Sequence, residues 1–313
     1  MRHSMLHLDM METGPVSERD DGPSPEQVLQ ALESAGHLLE QEVATRLADL
    51  GYSVSTSRAF TDQDEGKSRE LDVFAHKELY RNDEKRLRVG LTLLVECKNT
   101  SAPLAFLTRP VRDPGRPPEE FVITYHSRDE REVRGGETYI LRRPMFDELG
   151  LRGEYWGTAE AVRAVHVSRL DRKGSAWSAV NTGVFDSLTW PMAKALRAFK
   201  SPIRNPNRGF DAKRDWSHVA LFVPMVVSGS RLFVADGTQL HPTVAEMPFV
   251  RFQREFKAKS FQGVFGLDFV QRDSLTSFVR DVVDAFGSEV VRRVRADEDA
   301  LIPPDRWAMW TDW

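Results

Sequence analysis

The chain has 313 residues, 41% of them hydrophobic, and a formal net charge of -4. That composition supports a sizeable buried core and excludes global disorder. It also excludes a histone-like or tail-driven nucleic-acid binder, which would be basic overall. Cys97 is the single cysteine, so neither a disulfide framework nor a cysteine-based zinc site is available, in keeping with a reducing, cytoplasmic setting.

Met1 to Pro25 is polar and rich in Asp, Glu, Gly and Pro, and reads as a disordered leader without the apolar centre of a signal peptide. No apolar run approaches the roughly 20 residues of a membrane span. Pro25 opens one helical pattern reaching Leu50, with Val28, Leu32, Ala35, Leu39, Val43, Leu47 and Leu50 on one stripe and Gly51 as its stop. Three strands are expected next: Tyr52 to Phe60, Arg69 to His76, and Leu87 to Lys98. The third is apolar from Val89 to Val95 and reads as central, buried on both faces.

Residues 101–181 read as a long insertion, broken by Pro103, Pro110, Pro114, Pro117 and Pro118, with a strand at Phe121 to His126 and a helix including Thr158 to Val165. A helix over Val184 to Phe199 and a strand at His218 to Val227 follow. The Ser228-Gly229-Ser230 turn is expected to fold Arg231 to Ala235 back on that strand as a hairpin. Strands at Phe249 to Phe256 and Gly266 to Val270 and an amphipathic helix over Arg272 to Phe286 close the pattern. The resulting division is a leader (1–25), a first core half (26–100), the insertion (101–181), a second core half with C-terminal elaboration (182–290) and a tail (291–313). The class is α/β, a mixed sheet flanked by helices.

The chemistry gathers at the end of the third strand. Glu96 and Lys98 are two residues apart, so they share a face while Cys97 points away. Charged groups ending an apolar strand are costly unless used. Asp72 is placed alike in Leu71-Asp72-Val73-Phe74. Two carboxylates suit a hard cation such as Mg²⁺, which acidifies water and neutralises phosphate charge. Glu40 and Glu42 each lie about 80° from the helical stripe, so geometry leaves both open.

Asp72 followed by Val95-Glu96-Cys97-Lys98 resembles the PD-(D/E)XK motif of restriction-endonuclease-like nucleases. Gly36-His37-Leu38-Leu39-Glu40, with Gly51-Tyr52 beyond, resembles the first helix of Mrr-type members. Leu71 stands where the classical Pro would be, and the interval from Asp72 to Glu96 is wide. The resemblance implies a restriction-endonuclease-like fold and a DNA endonuclease acting in bacterial defence, restriction or repair. It implies Mg²⁺ (Mn²⁺ substituting) held by Asp72, Glu96, the Cys97 main-chain carbonyl and Glu40, with Lys98 positioning water. The interval to Gly51 favours Glu40 over Glu42.

Arg204, Arg208, Lys213 and Arg214, with Arg109 and Arg112, are candidate phosphate contacts; the alternative for each is a solvated basic loop. Two readings compete with the DNA nuclease: an inactive nuclease fold that binds nucleic acid or scaffolds a complex, and an effector nuclease that is RNA-directed or ligand-activated. Trp307, Trp310 and Trp313 suggest tail packing or a homo-oligomer contact.

Overall fold

The computed structural model describes residues 22–110, 118–124, 127–156, 163–181, 183, 185–203, 215–257 and 262–302. The expected single N-terminal helix is two. α1 (Pro25–Ala35) starts at a capping box, where the Ser24 hydroxyl accepts from the Gln27 N–H. It ends at Gly36, whose φ of 89° is left-handed and suited to glycine. α2 (His37–Asp49) restarts there in a new direction. Only α2 buries its stripe, through Leu39, Val43 and Leu47; α1 buries nothing.

β1 (Ser53–Thr61), β2 (Ser68–Asn82) and β3 (Leu87–Lys98) form an antiparallel meander. β2 runs past its expected end because Lys77 to Asn82 pair with Leu91 to Leu87. β4 (Leu104–Arg109), β5 (Phe121–Ile123), the β6–β7 hairpin (Ser127–Arg134, Glu137–Pro144) and α3 (Met145–Glu148) follow. Next come β8 (Arg163–Lys173), β9 (Ala176–Val180) and α4 (Trp190–Lys200), the last led in by a π-helical turn at Phe185–Thr189. β10 (Ser217–Ser228), β11 (Leu232–Asp236), β12 (Val244–Glu246), β13 (Phe249–Lys257) and β14 (Gln262–Gln271) complete the strands. The C-terminal helical stretch is α5 (Leu275–Phe278), a π-helical segment Val279–Asp284, and α6 (Ala285–Ala296).

The fold is mixed α/β: one large mixed sheet, ordered β1-β2-β3-β10-β14-β13-β8-β4-β11-β12, with helices against it. β3 and β10 run parallel and in register along their whole lengths, from Leu87↔Ser217 to Lys98↔Ser228. Both are apolar on two faces, as a central parallel pair requires. On one face, Val89, Leu91, Leu93 and Val95 of β3 pack with α2, α5 and α6. On the other, Leu94 and Phe222 pack with Met192 and Leu196 of α4.

Two expectations are corrected. β11 does not fold back on β10; it pairs with β4 and β12. β3 and β10 turn the same corner, where the Gly229 N–H bonds the Lys98 carbonyl (3.2 Å) and the Leu104 N–H bonds the Arg231 carbonyl (3.0 Å). The parallel pair β3/β10 thus continues as the parallel pair β4/β11. The helix expected across Thr158 to Val165 gives way at Arg163 to β8, which pairs with β4 and β13; a short apolar run fits either period, and cross-strand partners decide. Residues 157–162 lie outside the described ones. Within 101–181, β4, β5 and β8 are members of the main sheet.

A buried ion network ties β13 and β14 to the segments before β5 and β8. Arg251 Nη1 donates to Asp268 (2.7 Å), and Nη2 donates to Glu120 (2.6 Å) and to the Tyr155 hydroxyl (2.9 Å). Glu120 also accepts the Gly266 N–H (2.8 Å), and a Cβ at Gly266 would lie 2.0 Å from the guanidinium. Arg251→Met leaves two buried carboxylates unpaired. It is expected to lower the unfolding free energy by about 3–5 kcal/mol, measured as an earlier urea midpoint at unchanged slope. A loss below about 1 kcal/mol would show that the network is not a structural clamp.

Candidate active site: a carboxylate fork

The pairing of β2 with β3 stops at Val73↔Val95. Beyond it, β2 stays with β1 alone through Leu71↔Arg58 to Ser68↔Thr61, and β3 stays with β10 through Glu96↔Val226 to Lys98↔Ser228. The sheet forks between the two strands, and Asp72 and Glu96 are the first residues of the separating arms.

Separation takes a ladder partner from the Cys97 N–H, which a buried strand end must replace. Asp72 does so: its Oδ2 accepts that N–H at 2.7 Å. The carboxylate is thereby anchored to the neighbouring strand by a charge-assisted bond. Glu96 and Lys98 share a face, and Lys98 Nζ donates to Glu96 Oε1 at 2.6 Å. Glu96 is the better covered of the two, at 14% exposure against 35%.

α2 supplies the third acid. Glu40, in its first turn, stands 3.5 Å from His37 Nδ1. Glu42 is engaged elsewhere, with Arg46 at 2.5 Å and with Arg272. The Glu40 carboxyl also feels the charge of Asp72. Burial lifts the Glu40 carboxyl above its ordinary range, and the Asp72 charge lifts it further. Burial lifts Asp72 too, against the Cys97 N–H and Lys98, which favour its charge. Glu96 is raised first by burial and then by Asp72. Burial and these same acids push the Cys97 thiol upward, so it stays protonated and is no nucleophile at neutral pH.

Glu70 adds to the field on both Glu40 and Asp72. It was passed over in the sequence, although it precedes Asp72 by two residues on the same strand. Asn99, directly after Lys98, was also missed: its side-chain amide bonds the Glu33 carbonyl at 2.5 Å, tying the end of α1 to the fork. Arg109 ends β4 opposite Arg163 of β8, exposed and without a bond to the carboxylates. Arg112, Arg204, Arg208, Lys213 and Arg214 lie outside the described residues.

Among the described residues no three His, Cys, Asp or Glu side chains converge as a ready-made metal-holding group. Mg²⁺ does not need one, since it commonly takes one or two carboxylates and completes its shell with water and substrate oxygens. Asp72 and Glu96 offer such a pair, with the Cys97 carbonyl directly after Glu96 in the chain. Burial first, and neighbouring acids second, disfavour their charged forms, and a bound cation would offset both.

Comparison with protein-family models, with curated proteins and with solved structures returned no match to this chain.

The fork carries a stability signature. A carboxyl raised in the folded state favours folding fully below its unfolded value, near 3.9 for Asp. That contribution disappears as pH rises through the folded value. Asp72→Asn keeps an acceptor for the Cys97 N–H but removes the charge. In EDTA at neutral pH the variant is expected to melt a few degrees above the wild type, on the order of 1 kcal/mol, with the gap closing below about pH 4. A lower melting temperature at pH 7, relative to wild type, would refute the buried-acid description.

Proposed function

We propose that this chain is a divalent-metal-dependent nuclease of restriction-endonuclease-like fold that hydrolyses DNA phosphodiester bonds. The observation that carries the reading is the fork: Asp72 locked on the Cys97 N–H, beside the Glu96–Lys98 pair. Asp72 and Glu96 would hold Mg²⁺, or Mn²⁺ in its place, with the Cys97 carbonyl and Glu40 in support. When bound, that ion supplies an acidified water and neutralises charge on the scissile phosphate. Lys98, the more exposed partner of its pair, orients the attacking water and stabilises negative charge on the phosphate oxygens. Glu96 holds the Lys98 ammonium in place, and Glu40 raises the negative potential that attracts the cation.

The setting that goes with this chemistry is an endonuclease of bacterial defence, restriction or repair in the cytoplasm, acting alone, as a homo-oligomer or under an activator. No helix among the described residues is long and apolar enough to cross a membrane. One observation favours a second reading. The Glu96–Lys98 pair is closed on itself, as it would be in an inactive nuclease fold that scaffolds a complex. An RNA-directed or ligand-activated effector uses the same fork on another substrate.

Supercoiled plasmid incubated with the protein and Mg²⁺ or Mn²⁺ separates these readings. Nicking or linearisation is expected, abolished by EDTA and reduced at least about a hundredfold by Lys98→Ala or Asp72→Ala. Cleavage that survives both substitutions would place the chemistry elsewhere. A folded wild type that cuts RNA alone would move the substrate class, and one that cuts neither would favour the scaffold.

A further inference from the structure

The face of the sheet that carries Asp72 and Glu96 continues away from the fork as a row of cationic and imidazole side chains. The register Phe74↔Leu94, His76↔Thr92 and Arg81↔Arg88 keeps these residues on that face, and His218 of β10 stands opposite Arg88. Arg58 of β1 lies over the Phe74 ring at 3.9 Å and is exposed. His76 follows, its Nδ1 3.0 Å from the Thr92 hydroxyl; its ring lies against Gly90, where a Cβ would come within 3.0 Å. Arg88 then packs its guanidinium on the His218 ring, Nη2 to Nε2 2.9 Å, and Arg81 stacks on Trp216 at 4.4 Å.

Charge along this row is unbalanced. Among the described residues neither Arg58 nor Arg88 makes an ion pair with a carboxylate, and Arg88 spends its donors on a histidine ring. Glu78 faces the row and reaches Arg81 at 3.8 Å, and Asp83 takes the other side of Arg81 at 2.8 Å. Burial, followed by the neighbouring guanidinium, depresses His218 to about 4, and burial lowers His76 as well, so both rings are neutral at pH 7. Neutral imidazoles and guanidiniums outside carboxylate ion pairs offer hydrogen bonds to an anion, with Glu78 the acid whose charge reaches His76 and Arg88. The Arg58 guanidinium, laid flat on the Phe74 ring, keeps its N–H edge toward phosphate oxygens.

The spacing also suits a chain of phosphates. Residues two apart on one face of a strand repeat every ~6.6 Å, comparable to one nucleotide of an extended strand. From Asp72 the row passes Phe74 with Arg58, then His76, then Arg88 with His218.

We propose that Arg58, His76, Arg88 and His218 form a track for the phosphodiester backbone of a nucleic-acid strand, leading to the fork along β2. This rests on the nuclease reading for its substrate, but its test does not depend on cleavage.

A fluorescently labelled single-stranded DNA oligonucleotide, titrated in EDTA at several salt concentrations, reads binding alone by anisotropy. Arg58→Gln and Arg88→Gln together are expected to weaken binding about tenfold or more and to reduce the salt slope by about 1–2. Arg280→Gln, on the helical layer of the other face and paired with Asp281, is expected to leave both unchanged. Arg58→Gln alone, at an exposed position, is expected to weaken binding in the same direction, which guards against misfolding of the Arg88 variant. Equal affinity and slope across the set, or no affinity of the wild type, would overturn the track. Failure of plasmid cleavage with track-dependent binding intact would sink the nuclease reading instead.

Discussion

A buried parallel strand pair must satisfy every main-chain N–H, and that requirement organises the molecule around β3 and β10. The two strands pair along their full lengths and leave no free edge between them. β2 can follow β3 only to Val73↔Val95 before its own pairing with β1 draws it aside. The Cys97 N–H at that point needs an acceptor, and a carboxylate from β2 is within reach. Asp72 is therefore a structural plug in the fork, its carboxylate fixed to β3 by the same bond. The acidic character of the site follows from a gap in the ladder.

The same pair sets the rest of the topology. Because β3 and β10 run together into one corner, β4 and β11 leave it together, and the Ser228-Gly229-Ser230 stretch makes a corner where a hairpin was expected. Its hydroxyls are used locally, Ser228 Oγ with Ser230 Oγ at 2.7 Å. The sheet then returns through β14, β13 and β8 to β4, so that β13 and β14 lie at the centre of the path. Deep placement of charged residues on these strands demands pairing, and Arg251 meets it by holding Asp268 and Glu120 at once. Such a network is costly to desolvate, and its worth lies in fixing which segments meet.

The two ends of the sheet face seen from α4 carry opposite electrostatics. At the fork, burial gathers carboxylates whose charges resist one another. Toward the start of β3, Arg88 packs on a neutral histidine, and neither it nor Arg58 holds a carboxylate ion pair among the described residues. The proposed metal-dependent attack on a phosphodiester would call for a cation at one end and an anion at the other.

How much of this was legible beforehand depended on the range of the interaction concerned. Periodicity and apolar runs placed the ends of β3 at Leu87 and Lys98, located β1, β10 and β13 closely and caught the second half of β14, because each strand signals its own burial. Glu96 and Lys98 on one face followed from the two-residue repeat, and Asp72 from its apolar neighbours. The choice of Glu40 over Glu42 was left open by the helical wheel; Arg272, far along the chain, claims Glu42 and leaves Glu40 to the fork. Gly36 was read as mid-helix, since a glycine within an apolar stripe does not announce whether the chain turns there. Between residues 104 and 173 the strand opening at Phe121 was legible, whereas β4 and β8 hid among prolines and charges because their partners lie far away in sequence. The sequence alone determined which residues are fit to be buried and which short stretches carry chemistry, since spacing and side-chain type act locally. Tertiary structure alone decided which strands meet, where the ladder breaks and which acid fills the break, because main-chain hydrogen bonds pair strands by position in space and carry no mark in the side chains that flank them.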